Sequence, residues 1–168
     1  MKLRIKKFSY RFAEQVLNSK LIIKNEIEDI IINTDFEGHD LTRPKLNKKL
    51  EEILVKKGWI KQPVIFDEPG DPTAKMDFLK ERIGMEVGFT HASFLGIDLL
   101  KFQVASYSGL DKIDAGVYIT TTKHFQLYMK EDLGHKWEGS LTYEKVIKYL
   151  PHFKSAIQIP IYVLGIDI

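Results

Sequence analysis

Apolar positions in the first third of the chain recur at helical intervals. Phe12, Val16 and Leu17, followed by Ile23, Ile27, Ile30 and Ile31, fall three or four residues apart and define one helix face. Asn18-Ser19 interrupts that run, so two helices are expected, with Ser19 capping the second. A third helix begins after Thr42, a capping residue, with Pro44 in the first turn where its missing N–H is not needed. Leu46, Leu50, Ile53 and Leu54 supply its buried face, and Gly58 ends it.

Beyond Gly58 the pattern changes. Pro63, Pro69, Gly70 and Pro72 mark 61–75 as loop, with one short edge strand over Val64 to Phe66. Met76 to Leu79 and Ile83 to Phe89 are compact and strand-like, close enough to pair as a hairpin. Phe94, Ile97, Leu100 and the stretch from Lys101 to Val104 return to helical spacing, stopped at Gly109. Gly116 to Thr121 alternates and is β-branched, as in a buried strand. Tyr143, Val146, Ile147 and Leu150 place a helix over Leu141 to Leu150, and Ile159 to Ile166 forms a closing strand. The order α, α, α, β, β, α, β, α, β predicts an α/β fold: a mixed central β-sheet with helices on its faces, in one domain over residues 1–168.

Composition narrows the chemistry. At 168 residues and 44% hydrophobic, the chain can bury one full core. It has no cysteine, so a metal would be held by oxygen or imidazole, which favours a hard cation such as Mg²⁺. No apolar run is long enough to span a bilayer, and the basic stretch Met1 to Lys7 lacks the apolar core of a signal peptide. A cytoplasmic protein without membrane contact is expected. The net charge of +2 is too small to indicate a nucleic-acid partner; a binding face would need local clustering of lysines.

The candidate chemistry lies in the expected hairpin. Asp77 and Glu86 are each flanked by apolar residues, in Met76-Asp77-Phe78 and Met85-Glu86-Val87, so each carboxylate projects from sheet that is otherwise being buried. An ionised carboxylate there is unfavourable unless it is paired or binds a metal, and a divalent cation between two of them removes their repulsion. The alternative is that both sit at exposed strand edges or pair with Lys75, Lys80 or Arg82. His39-Asp40 is half of an HD metallohydrolase pattern, but no second properly spaced His and Asp accompanies it.

Several segments, in order, resemble the BglII/BstYI type of restriction endonuclease, a branch of the PD-(D/E)XK nuclease group. Ala13-Glu14-Gln15-Val16-Leu17-Asn18 and Glu26-Ile27-Glu28 are similar to its opening helices. Asp77 followed after eight residues by Glu86-Val87-Gly88-Phe89 resembles its metal-binding strand pair. Ile119-Thr120-Thr121-Thr122-Lys123 resembles the strand entering its DNA-recognition loop, Ser140-Leu141-Thr142-Tyr143-Glu144 the helix after it, and Ile159-Pro160-Ile161-Tyr162-Val163-Leu164-Gly165 a late strand. The resemblance implies a restriction-endonuclease-like fold and Mg²⁺-dependent hydrolysis of double-stranded DNA by a homodimer, at a short palindrome; the family's sites share a GATC centre. It makes Asp77 and Glu86 the metal ligands, with the Val87 carbonyl a third. The next motif position, which carries Lys, Glu or Gln in the group, falls on Gly88. Lys101, on the following helix, is then the candidate for the missing polar group, with Gly88 leaving room for it; the alternative is a solvated lysine.

The matching loop, 123–140, implies DNA contacts from Lys123, Lys130 and Lys136 to phosphates and from His124, Gln126 or Ser140 to base edges, with His91 near a further contact. The bland reading of that segment is a polar surface loop. Two rivals to the nuclease remain: a DNA-binding relative that has lost cleavage through Gly88, and an α/β interaction domain.

Overall fold

A computed structural model of the chain describes residues 3–34, 41–65, 75–107, 111–137 and 139–168. In chain order the elements are β1 (Arg4–Tyr10), α1 (Ala13–Asn18), α2 (Leu21–Asn33), α3 (Arg43–Lys56), β2 (Ile60–Lys61), β3 (Phe78–Lys80), β4 (Ile83–Val87), α4 (Leu95–Tyr107), β5 (Ala115–Thr121), α5 (Lys123–Glu131), α6 (Tyr143–Tyr149) and β6 (Ile161–Asp167). They form one six-stranded sheet in the order β1-β6-β5-β4-β3-β2. The β4/β5 and β5/β6 pairs are parallel, and β1, β3 and β2 pair antiparallel at the flanks, which makes the sheet mixed as the pattern predicted.

Strands β5 and β6 are buried along their whole length, as central parallel strands covered on both faces must be. Their side chains alternate between two cores. Val117, Ile119, Leu164 and Ile166 face α1, α2, α3 and α5, whereas Tyr118, Ile161 and Val163 face α4 and α6. Glu86, paired in register with Tyr118, shares the α4 side.

The expected hairpin is present: Phe78 pairs with Met85 and Lys80 with Ile83, through a two-residue turn in which Glu81 and Arg82 both have positive φ. That turn geometry matches the twist of the two strands. At the other end, Gly58 with φ 86° lets the chain leave α3, as its position suggested.

Several expectations need correction. An edge strand, β1, occupies the N-terminal segment, where the sequence pattern predicts no strand; its Lys6 and Lys7 are the kind of charge that protects such an edge from further pairing. Phe12 is not on the first helix face: it precedes the helix with φ 59° and is 75% exposed. The break at Asn18-Ser19 is there, but Ser19 closes α1 by donating to the Val16 carbonyl, and Lys20 precedes α2. The edge strand is Ile60–Lys61, with Val64 making only a bridge to Lys75. The segment after β5 is only partly loop: α5 takes up its first half, Lys123–Glu131. His39-Asp40, Phe66 and Gly109 lie outside the described residues.

Candidate active site

The hairpin register that pairs Phe78 with Met85 carries Asp77 opposite Glu86. Asp77 lies one residue before β3, its backbone carbonyl accepting from Gln62 N at 2.9 Å and its carboxylate from Val87 N at 2.8 Å. Glu86 is 2% exposed. Neither acid uses the partners that the sequence offered: Lys80 binds Glu26, and Arg82 binds Asp111 and Asp114. The cation beside Glu86 is Lys101 on α4, whose Nζ lies 3.2 and 3.3 Å from the two Glu86 oxygens.

Two further residues, which the sequence reading did not single out, complete this cluster. Asp98, one turn before Lys101, accepts from Lys101 Nζ at 3.2 Å and from the Tyr118 hydroxyl at 3.0 Å. Their signal was faint: Asp98 shows only the i,i+3 spacing to Lys101, and Tyr118 looks like any core aromatic of a strand.

Burial is the first cause of the site's proton affinities. It raises the Asp77 and Asp98 carboxyls, and it pushes Glu86 up to about 9, aided by the charges of Asp77 and Asp98 and opposed by Lys101. Lys101 is raised, because the two acids it touches outweigh its own burial. Three carboxyl groups share one ammonium, so the site lacks positive charge when all are ionised. That donor chemistry fits a hard divalent cation. Among the described residues no group of three His, Asp or Glu side chains forms a complete cage. Asp77 and Glu86 would be the side chains to hold such a cation here.

Gly88 is explained by its neighbour. A Cβ there would lie 2.7 and 2.8 Å from Cζ and Cε1 of the Tyr118 ring, and nearer still to its hydroxyl. The room beside Glu86 is thus filled by Tyr118, not left open for Lys101, and Lys101 nonetheless reaches the site. A cleft of about 260 Å³ opens here between Lys75, Asp77, Ile97, Asp98 and Lys101.

The expected DNA contacts gather at the same edge of the sheet, beyond the carboxyl ends of the parallel strands, where ligands of open α/β sheets bind. His91 bridges Ser140, and Thr121 bridges Thr142. Thr122 caps α5 by accepting from Phe125 N, which puts Lys123, His124, Gln126 and Lys130 on one helix. A groove of about 420 Å³ is walled by Lys123, Lys130, Lys145 and Lys148 around Glu144. His124 is mostly exposed, with Nδ1 3.0 Å from Asp167. Gln126 donates to Thr121 Oγ1 and the Leu141 carbonyl, and the Ser140 hydroxyl accepts from Arg43, so both side chains brace this edge. Lys136 is exposed, its carbonyl accepting from Arg43.

A mixed sheet with carboxylates converging on a lysine at the end of a hairpin, beside a lysine-lined edge, defines a nuclease-like protein. The sequence model of the family described as restriction endonuclease BglII/BglIII matches residues 5–166. The chain belongs to that family, whose members are type II site-specific deoxyribonucleases, hydrolases of DNA. Among solved structures, restriction endonuclease BglII complexed with a DNA 16-mer is similar at 20% identity and TM-score 0.77, over 98% of this chain and 78% of that one. Free BglII is similar at 22% identity and TM-score 0.63, over 96% and 78% respectively. No curated protein matches the chain. Among the described residues no helix is long and apolar enough to cross a membrane.

Proposed function

We propose that the chain is a one-domain cytoplasmic subunit of a homodimeric, Mg²⁺-dependent endonuclease that cuts both strands of double-stranded DNA at a short palindrome. The observation that carries this reading is the pair of half-buried Asp77 and buried Glu86 beside Lys101, at a cleft open to solvent. Asp77, Glu86 and the Val87 carbonyl would hold the metal, which would supply positive charge to the scissile phosphate and acidify water. Lys101 holds its ammonium at Glu86, where it orients the attacking water and offsets charge gathering on the phosphate. The polar group that Gly88 lacks thus arrives from α4.

Lys123, Lys130 and Lys136 contact phosphates, which fixes the register of the duplex, and His91 and His124 reach base edges from an edge braced by Gln126 and Ser140. A second copy follows from the chemistry, since a palindrome cut in both strands needs two sites related by a two-fold axis. Helix α4 favours it physically: Leu99 and Phe102 are buried on one side, yet Leu100 and Tyr107 on the other are 51% and 59% exposed. A helix apolar on both sides calls for a partner.

The test is cleavage of duplex pools in Mg²⁺, with GATC-centred palindromes tried first and the cut ends sequenced. Wild type should cut at one motif, and Asp77→Ala and Glu86→Ala should lose about 100-fold or more of the rate while remaining folded. Wild-type rates in either variant would sink the assignment. Tight specific binding without any cutting would leave the DNA-binding relative as the answer.

A further inference from the structure

The space beside Glu86 that a side chain at residue 88 would fill holds instead the Tyr118 ring, which is fully buried. Its hydroxyl donates to Asp98 Oδ2 at 3.0 Å, and the other oxygen of Asp98 accepts from Lys101 Nζ at 3.2 Å. Lys101 in turn reaches both oxygens of Glu86. The chain of contacts therefore runs from the position of the absent motif side chain, through Tyr118 and Asp98, to the ammonium at Glu86. A lysine carries four rotatable bonds, and its ammonium holds one place only if acceptors fix it. Asp98 is itself an acid on a helix, able to swing to solvent unless a donor holds it. Tyr118 is that donor, anchored in the central strand in register with Glu86.

We infer that Tyr118 and Asp98 are positioning residues for Lys101, a device that replaces the side chain missing at Gly88. The inference rests on the reading of Lys101 as the polar group of the reaction. Gly88 then has a definite purpose: any larger residue would displace the Tyr118 ring and with it the whole relay. The sheet carries the position of the group through a buried aromatic in place of the strand's own side chain.

The test compares Lys101→Met, Tyr118→Phe, Asp98→Asn and the double variant Lys101→Met/Tyr118→Phe in single-turnover cleavage at saturating Mg²⁺. DNA affinity is measured in parallel. Tyr118→Phe keeps the ring and removes only the donor; it and Asp98→Asn should each slow cleavage by about 10- to 100-fold with little change in DNA affinity, as supporting hydrogen bonds around a reacting centre do. Because Tyr118 acts through Lys101, the double variant should be no slower than Lys101→Met alone; additive losses would overturn the relay.

A second readout is independent of catalysis: acetylation of Lys101, followed by mass spectrometry. In wild type Lys101 should label more slowly than Lys48, whose side chain is 78% exposed, and it should label faster in both Tyr118→Phe and Asp98→Asn. Unchanged labelling in both variants overturns the inference, even if the wild-type protein cuts no DNA. Wild-type cleavage by Lys101→Met would instead reject the role of Lys101, whereas an inactive Lys101→Met beside wild-type rates in the other two would reject only the positioning pair. If Tyr118→Phe fails to fold, Asp98→Asn decides by both readouts.

Discussion

Glu86 binds a proton more tightly folded than unfolded, since burial lifts its carboxyl from 4.5 to about 9. The folded state therefore holds the extra proton between those limits: the contribution of Glu86 to stability is fully present below about pH 4.5 and is lost as pH rises toward 9. Glu86→Gln removes that dependence, because an amide does not titrate. In EDTA, the variant should melt above wild type at pH 8, by about 4–8 °C for roughly 2 kcal/mol, with the gap closing toward pH 5. Thermal melts at both pH values check this; a gap independent of pH would mean that Glu86 is not strained by its ionisation. Gly88 yields a prediction of opposite sign. From the sequence, a polar side chain restored at this position promises faster cleavage if Lys101 leaves the space open and slower cleavage if Lys101 fills it; in the structure, Gly88→Gln must push into the Tyr118 ring. It should lower stability by about 1–3 kcal/mol and slow cleavage, measured by chemical denaturation and single-turnover rates. Asp77 and Glu86 were legible because an acid inside an apolar strand stands out against its neighbours. Tyr118 was not, because an aromatic inside a strand is what a core requires, and only the register of β4 on β5 shows what its hydroxyl faces.

Among the elements, α5 departs most from its sequence reading, and the reason is local. Its buried face is only Phe125 and Met129, one turn apart, set among His124, Gln126, Lys123 and Lys130, so the polar residues conceal the helical period. The residue that reveals the helix is Thr122, whose hydroxyl accepts from Phe125 N at 3.0 Å and donates to Asp167 at 2.7 Å. Thr122→Ala removes both bonds in a buried place and should destabilise the protein by about 2 kcal/mol. Denaturant titration measures this, and DNA affinity should fall with it, since the helix carries the proposed phosphate contacts. The strand β1 escaped for a different reason: an edge strand with lysines at its centre has one half-buried face, and its pairing partner β6 is more than 150 residues away. By contrast α3, β5 and β6 were legible because each is buried strongly enough to fix its own period, whether three to four residues in a helix or a continuous apolar run in a central strand.

At the scale of the whole molecule, the two halves of the function lie on one edge of the sheet, and what remains is how many copies act together. The cleft at Asp77 and Lys101 lies beside the end of β4 and the lysine groove of α5 and α6 beyond the end of β5, so under the proposed function one subunit would grip and cut one strand. Cutting the second strand within the same palindrome needs a partner rotated by half a turn. Leu100 and Tyr107 on the outer side of α4 are the exposed apolar positions whose burial would stabilise such a pair, and they sit on the helix that carries Lys101 inward. A charge placed there should separate the subunits without touching the residues of the site. Light scattering should show wild type as a dimer and Leu100→Glu or Tyr107→Glu as monomers. On a supercoiled plasmid bearing one target, wild type should yield linear DNA directly, whereas the monomers should give nicked circles at a rate that falls with dilution. A wild-type protein that remains monomeric with and without DNA, and still nicks, would instead make each subunit an independent nickase.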